Sequence, residues 1–328
     1  MIFALLLALL VVVLGAYTRL ADAGLGCPDW PGCYGHILAP TAAEHVAAAN
    51  QAYPERPVEF NKAIKEMVHR YFAGGLILTV FFLMLLAWKN RKDERAPVVL
   101  ATFVFMFILF QAALGMWTVT WKLKPIVVMA HLLGGFTLLS LLWLMILRLR
   151  RIDVSTTARS SVGLKLATLA GLLIVIAQIA LGGWTSSNYA ALACPDFPTC
   201  QTQWWPPMDW KEGFVIWRGI GQDYEFGILE PAARTAIHMA HRIGALLTFV
   251  YLLILSLSIM RSAVPRKLKM IAGILLSLLL VQIGLGISNI VFSLPLVVAT
   301  AHNAVGAMLL LAVVTVVYAS WSSSTTGP

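Results

Sequence analysis

Charged side chains are scarce in this chain, and acidic ones are scarcer than basic ones. Only 12% of its 328 residues are charged, with 15 acidic against 24 basic, whereas 59% are hydrophobic. A soluble globular domain has about 25% charged residues, so this composition excludes one. Regular apolar–polar alternation is also missing, which excludes a transmembrane β-barrel. The sequence predicts an integral membrane protein made of α-helices, because backbone groups in lipid need partners within their own segment.

Long apolar runs are abundant instead. A helix needs about 20 apolar residues to cross a bilayer. Eight runs meet that requirement, near residues 2–19, 67–88, 97–119, 126–147, 164–185, 236–260, 268–291 and 296–319. The first run lacks a basic start and a small-residue cleavage site, so we expect a mature span and not a signal peptide. The predicted fold class is all-α with eight transmembrane helices.

Basic residues form three dense clusters between the predicted spans. The clusters are Lys89, Arg91, Lys92 and Arg95; Arg148, Arg150, Arg151 and Arg159; and Arg261, Arg266, Lys267 and Lys269. The positive-inside rule places such short basic connections in the cytoplasm. Both termini are then cytoplasmic, and the connections that hold all four cysteines face outward across the cell membrane. Topology thus explains the net charge of +9, which does not predict nucleic-acid binding.

The second half of the sequence repeats the first. Residues 27–33 read Cys-Pro-Asp-Trp-Pro-Gly-Cys, and residues 194–200 read Cys-Pro-Asp-Phe-Pro-Thr-Cys. A Gln-x-x-Leu-Gly segment at 111–115 returns at 282–286. Each half contains an even number of spans, so both halves have the same orientation in the membrane. We predict two parallel-repeat four-helix bundles, formed by residues 1–150 and 151–328.

Four histidines occupy matching places in this repeat, each near the outward end of a span: His69, His131, His241 and His302. Ionisable groups inside a membrane are costly and indicate function. Two histidines on opposed helices suit the axial positions of a haem iron, so we predict one site from the first two and one from the last two. The residue four positions after each histidine is Ala or Gly, which leaves room for a flat macrocycle. The alternatives are interhelical hydrogen bonds and close helix packing.

Neighbouring charged residues distinguish the two halves. Arg70 and Arg242 each follow a histidine and could bind haem propionates or reach lipid phosphates. The second span is predicted to begin at about Glu66, three residues before His69, where the second half has His238. This carboxylate could move a proton or stabilise positive charge near a macrocycle, or it could favour a helix N-terminus. This difference predicts that the reaction takes place in the first half and that the second half supports it.

The cysteines form two pairs, Cys27 with Cys33 and Cys194 with Cys200. Both pairs lie in outward loops, where disulfides persist. Zinc binding by four thiolates is the alternative, although the five residues between paired cysteines exceed the usual zinc-ligand spacing. Because the first pair shortly precedes the helix of Glu66, we also predict a redox role for it.

Two outward loops are longer than the others. Residues 36–60 are predicted to include a short interfacial helix. The loop after the fifth span carries Trp204, Trp205, Trp210 and Trp217, which favour the lipid–water boundary, so we expect this loop on the membrane surface. The polar tail at 322–328 is predicted to be disordered.

Together these residues resemble the haem A synthase family. The resemblance covers nearly the whole chain, and the paired cysteine loops are similar to those of bacterial and archaeal members. It rests on Thr18-Arg19, the Gly-Leu-Gly-Cys-Pro-Asp-Trp-Pro segment at 24–31, Glu66 with His69 and Arg70, His131, His241 with Arg242, and His302.

The resemblance implies a reaction and two haem sites. The reaction is oxidation of the C8 methyl of haem O to a formyl group through hydroxylated intermediates, which gives haem A for a terminal oxidase. The substrate haem is then held by His69 and His131. A b-type haem with its iron, the expected cofactor, is held by His241 and His302.

The resemblance also implies catalytic residues and partners. It assigns catalytic roles to Glu66 and to the redox-linked Cys27 and Cys33. The expected partners are membrane lipid, a haem O synthase that supplies the substrate, and an electron acceptor such as a quinone. A homo-oligomer is left open.

Three other functions are compatible with parts of the sequence. A b-type electron-transfer cytochrome with bis-histidine haem would explain the four histidines but not Glu66. A membrane thiol oxidoreductase would use the two cysteine pairs but would need no histidines. A haem carrier would bind haem O and return it unchanged.

Overall fold

The computed structural model describes residues 1–149 and 161–321, and within these ranges the fold is all-α with eight helices long and apolar enough to span a membrane. The predicted fold class and number of spans are thus confirmed. The long helices are α1 (Ile2–Leu20), α3 (Phe60–Lys89), α4 (Val98–Thr120), α5 (Pro125–Leu149), α6 (Val162–Ser187), α8 (Pro231–Arg261), α9 (Arg266–Val291) and α10 (Leu296–Trp321). Two short helices, α2 (Ala43–Ala52) and α7 (Trp210–Gly213), lie in the long loops. Arg150, Arg151, Arg159 and the tail at 322–328 fall outside the described residues.

Two of the histidine-bearing helices begin before their apolar runs. α8 begins at Pro231, where a missing N–H costs nothing. α3 begins at Phe60, so the predicted start at Glu66 is wrong. Hydropathy marks only the part that lies in lipid, whereas the helix continues through polar residues with good helix propensity. Glu66 therefore lies more than one turn inside α3, and a favourable effect on the helix N-terminus does not explain it.

Each set of four long helices forms a closed circuit of contacts. α1 and α4 each pack on α3 and α5, and in the same way α6 and α9 each pack on α8 and α10. The circuits meet where α5 packs on α6 and α10 and where α1 packs on α10, the most buried of the eight spans. Across this seam the indole of Trp143 donates to Thr315 Oγ1 at 2.8 Å. The division into two repeated bundles stays a prediction, with which these contacts agree.

The two long loops, 21–59 and 188–230, are joined by an ion pair. Arg56 donates to Glu225 at 2.8 Å and also pairs with Asp223. The hydroxyl of Tyr34 donates to the backbone oxygen of Arg56 at 3.1 Å, so this link reaches the segment that holds the first two cysteines. A short helix within residues 36–60 is confirmed by α2.

The tryptophans of the second long loop differ in their surroundings. Trp204 and Trp205 are exposed, and their predicted place on the membrane surface stays a prediction. Trp217 instead covers the buried Lys124, whose Nζ lies 3.2 Å from the indole centroid. Burial lowers the pKa of the Lys124 ammonium, and the aromatic face partly replaces its lost hydration. The contact between Trp217 and Lys124 thus connects the second long loop to the turn between α4 and α5.

Candidate functional site

Both cysteine pairs are disulfides, as predicted. The sulfur atoms are 2.03 Å apart in Cys27–Cys33 and 2.01 Å apart in Cys194–Cys200, which leaves no thiolate for zinc. All four side chains are at most 1% exposed. Exchange with a partner thiol would therefore require the loops to open.

An aspartate shapes each cysteine loop. The carboxylate accepts from the backbone N–H groups five and six residues later, at 2.6 and 2.7 Å for Asp29 and at 2.5 and 3.0 Å for Asp196. Hydrogen bonds from the Thr199 hydroxyl and from these amides hold the pKa of Asp196 below its usual range. Aspartate commonly closes turns in this way. The repeated Cys-Pro-Asp segments thus form repeated structures.

Glu66 joins the first cysteine loop to α3. Its side chain is buried, Oε2 accepts from the backbone N–H of Cys27 at 2.8 Å, and Oε1 accepts from Arg70 Nη2 at 2.5 Å. Arg70 also donates to the loop carbonyls of Asp29 at 2.9 Å and Gly32 at 2.5 Å. A carboxylate can accept from both of its donors at once. The arginine offsets part of the cost of burying this charge.

His238 takes the place of Glu66 in the second half. Its Nδ1 lies 3.3 Å from the backbone nitrogen of Cys194, and its Nε2 lies 3.2 Å from Arg242 Nε. A neutral imidazole has one acceptor nitrogen, so His238 can accept from only one of these donors at a time. The two halves therefore differ in how the loop is held as well as in charge.

Arg70 and Arg242 hold the cysteine loops, which the sequence did not reveal. Arg242 donates to the carbonyls of Cys194 at 3.0 Å and Asp196 at 2.7 Å, much as Arg70 does in the first half. Only 12% of the Arg70 side chain is exposed, which does not support the alternative that it reaches lipid phosphates. Contacts with haem propionates stay predictions, and a propionate would have to share these donors.

The four histidines come together in the predicted pairs. The imidazole of His69 on α3 lies close enough to His131 on α5 to interact electrostatically, and His241 on α8 does so with His302 on α10. Nδ1 of His69, His131 and His302 is buried without a hydrogen-bond partner. Within the described ranges no three His, Cys, Asp or Glu side chains converge as a metal cage. Paired imidazoles with unsatisfied nitrogens fit a haem, whose iron takes two axial ligands.

A glycine of the neighbouring helix faces each imidazole. A Cβ added at any of these glycines would come within 2.9–3.2 Å of an imidazole Cε1. The pairs are Gly15 with His69, Gly115 with His131, Gly182 with His241 and Gly286 with His302. Sequence reasoning instead expected room beside the small residues four positions after each histidine, two of which face glutamine side chains. The missed signal was the Leu-Gly dipeptide that recurs at 14–15, 114–115, 181–182 and 285–286.

Comparison with known proteins identifies the family. Residues 1–314 match the family model COX15-CtaA, described as cytochrome oxidase assembly protein. The chain belongs to this family. A Shewanella oneidensis protein named heme A synthase is 49% identical over 98% of this chain and 95% of its own length. Proteins of that name from Rhizorhabdus wittichii and Bacillus cereus are each 27% identical, over 92% and 75% of this chain and 87% and 68% of their own lengths.

The COX15-CtaA match includes every residue of the candidate site. Both cysteine loops, Glu66 and all four histidines lie within residues 1–314. The resemblance recognised from the motifs is therefore confirmed at the level of the family.

Two glycines that lie two residues apart on α9, and therefore on different faces of it, provide a test of the histidine sites. A Cβ at Gly286 would lie 3.2 Å from His302, whereas a Cβ at Gly284 would meet nothing within 4 Å. Alanine raises helix propensity by about 1 kcal/mol at either position. We expect Gly286→Ala to weaken haem binding about tenfold by displacing an axial ligand, and Gly284→Ala to leave it unchanged. Haem content per chain measures this, and equal content in both variants would contradict the assignment of His302.

Proposed function

We propose that this chain is a haem A synthase, which oxidises the C8 methyl of haem O to a formyl group. The observation that carries this proposal is the 49% identity, over nearly the full chain, to the Shewanella oneidensis protein of that name. The geometry agrees with it. Two histidine pairs offer axial ligands for two haems, and only one pair has a buried carboxylate three residues before a ligand.

The two halves take different haems in this proposal. His69 and His131 hold the substrate haem O, because Glu66 belongs to that half. His241 and His302 hold haem b, which supplies a one-electron carrier when bound. Residues 1–150 thus form the reacting unit, and residues 151–328 form the electron-transfer unit.

Glu66 serves as the proton acceptor while the methyl group is oxidised. Each of two successive hydroxylations of that carbon would take an oxygen atom from water and release two electrons and two protons, and loss of water from the resulting diol would leave the formyl group. The electrons would leave through the haem b half to a quinone or a similar acceptor. The N–H of Cys27 and the guanidinium of Arg70 hold the carboxylate in one place, which favours reaction because the acceptor is already positioned. A general base of this kind contributes about 10²–10⁴-fold to a rate.

The Cys27–Cys33 disulfide has a redox-linked role through the same hydrogen bond. Glu66 accepts a hydrogen bond from the backbone N–H of Cys27, which is one of the two disulfide-bonded cysteines. Reduction would free the loop and loosen that contact, so the state of the disulfide would set the position of the carboxylate. The second disulfide, Cys194–Cys200, has His238 in this place and would stabilise its loop only.

The proposed orientation rests on the positive-inside rule, and the proposed partners rest on the family resemblance. The basic clusters favour cytoplasmic termini, with both cysteine loops and haem sites toward the outer face of the cell membrane. A haem O synthase would supply the substrate, and a quinone or a similar carrier would accept the electrons. The four histidines argue against the thiol oxidoreductase alternative, which needs none of them.

Haem extraction and chromatography test the proposal. The purified protein should hold haem B alone when it is expressed without haem O, and haem A should accumulate when haem O is supplied. Haem B under both conditions would favour the electron-transfer cytochrome. Haem O that is bound but unaltered, with an electron acceptor present, would favour the carrier.

A further inference from the structure

Three glutamines accompany the histidine sites, each four residues before the glycine that faces an imidazole. Gln111 Nε2 donates to the backbone oxygen of His131 at 2.8 Å. Gln178 Nε2 donates to the backbone oxygen of His241 at 3.0 Å and lies 3.0 Å from its Nδ1. Gln282 Nε2 lies 3.2 Å from Nε2 of His302, whose Nδ1 has no partner. Each of these histidines is thus tied to the neighbouring helix.

The fourth site breaks this pattern. Four residues before Gly15 the first helix has Val11, so no side-chain amide lies beside His69, which hydrogen-bonds to the backbone of Val11 instead. The Nδ1 of His69 is buried without a partner, as are those of His131 and His302. What distinguishes His69 among the four predicted axial ligands is that no glutamine side chain ties it to the neighbouring helix.

The glutamines also carry an unused acceptor. The Oε1 atoms of Gln111, Gln178 and Gln282 are all buried without a hydrogen-bond partner. A histidine that binds iron through Nε2 presents an N–H at Nδ1, and a partner for this group fixes the ring and raises its basicity. Loss of such a partner typically lowers metal affinity about 10–100-fold. In this structure Gln111 contacts only the backbone of its histidine, Gln178 faces Nδ1 with its amide nitrogen, and Gln282 faces Nε2. Each would accept from an Nδ1–H after its amide or the imidazole rotates, whereas valine has no amide to offer.

We propose that His69, which has Val11 beside it in place of a glutamine, is the axial ligand that dissociates from the iron when the substrate haem leaves. Gln178 and Gln282 instead hold both axial ligands of the resident haem in place. The inference rests on the proposed function, in which one haem must leave after every turnover and the other must stay. Gln111 keeps His131 in place, so the substrate haem has one fixed ligand and one releasable ligand. Val11 and the three glutamines act as positioning residues, because each acts through a histidine.

Haem release is the quantity to measure. The protein is loaded with haem O under anaerobic conditions, mixed with excess apomyoglobin, and the haems remaining on it are separated by chromatography. Haem O and haem A report on the first half, and haem B reports on the second. We expect Val11→Gln to slow release from the first half about tenfold relative to Val11→Met, a control of similar size without the amide. The low-spin fraction of the first-half haem should rise as well.

The reverse change is expected in the second half. Gln178→Met removes the amide at nearly constant volume and should speed release of haem B about tenfold, without effect on haem O. Equal release from Val11→Gln and Val11→Met would overturn the proposal. If Val11→Gln does not fold, Gln111→Met serves instead, with faster release of haem O expected; no change there or in Gln178→Met would show that the glutamines only join helices.

The measurement separates this inference from the proposed function because release requires no turnover. A chain that never forms haem A but shows the expected difference in release rates would refute the synthase and keep the assignment of His69. A chain that forms haem A but releases haem at equal rates in all variants would keep the synthase and refute the assignment of His69.

Discussion

Replacing Glu66 with glutamine should leave both haem sites filled and lower the rate of haem A formation by about 100-fold or more. Glutamine keeps an acceptor oxygen for the N–H of Cys27, which lies 2.8 Å from the carboxylate. Arg70 keeps its bonds to the loop carbonyls. What the variant loses is the ability to take a proton. The rate is measured as haem A formed per bound haem O, together with haem content per chain.

His238→Gln is the matched control in the second half. It changes the residue that faces the N–H of Cys194, in the place that corresponds to Glu66. We expect haem A formation to stay within a few-fold of the original rate. Two equally inactive variants would show that the anchoring of the loops matters and the carboxylate does not. Full activity of Glu66→Gln would remove the proton-transfer role altogether.

His241→Ala should empty the second half of haem while the first half still binds haem O. Loss of an axial ligand should exceed the effect of losing a group behind it, which is about 10–100-fold in affinity. Haem B per chain should therefore fall by more than tenfold, and haem A formation should stop because the electron carrier is gone. His69→Ala should show the opposite pattern, with haem B retained and haem O lost.

The two variants distinguish the synthase from an electron-transfer cytochrome. Chromatography of the haems retained by each purified variant gives the assignment of the halves directly. A cytochrome with two equivalent sites would lose haem B equally from His69→Ala and His241→Ala. That result would refute the division into a substrate half and a cofactor half.

Much of the fold could be predicted because it depends on local signals. Apolar runs located every span, and the internal repeat paired His69 with His131 and His241 with His302. The start of α3 was placed too late, because the helix continues into polar residues that hydropathy does not count.

The parts of the site that were missed depend on how distant segments fold together. Arg70 binds the carbonyl of Asp29, which is 41 residues away in the sequence, and only the folded loop brings them into contact. No periodicity could indicate that the guanidinium would hold a cysteine loop. The glycines beside the imidazoles were within reach, because Leu-Gly recurs with the histidines, but their contact runs between different helices.

The ion pair between the long loops bears on how this chain can be recombined. Residues 21–59 supply the cation, Arg56, and residues 188–230 supply both acids, Asp223 and Glu225. A tandem of two first halves would carry the arginine twice and lack both acids, so the halves are not interchangeable modules. Chimeras of related enzymes should therefore take both long loops from the same parent, even where the crossover lies between the two bundles.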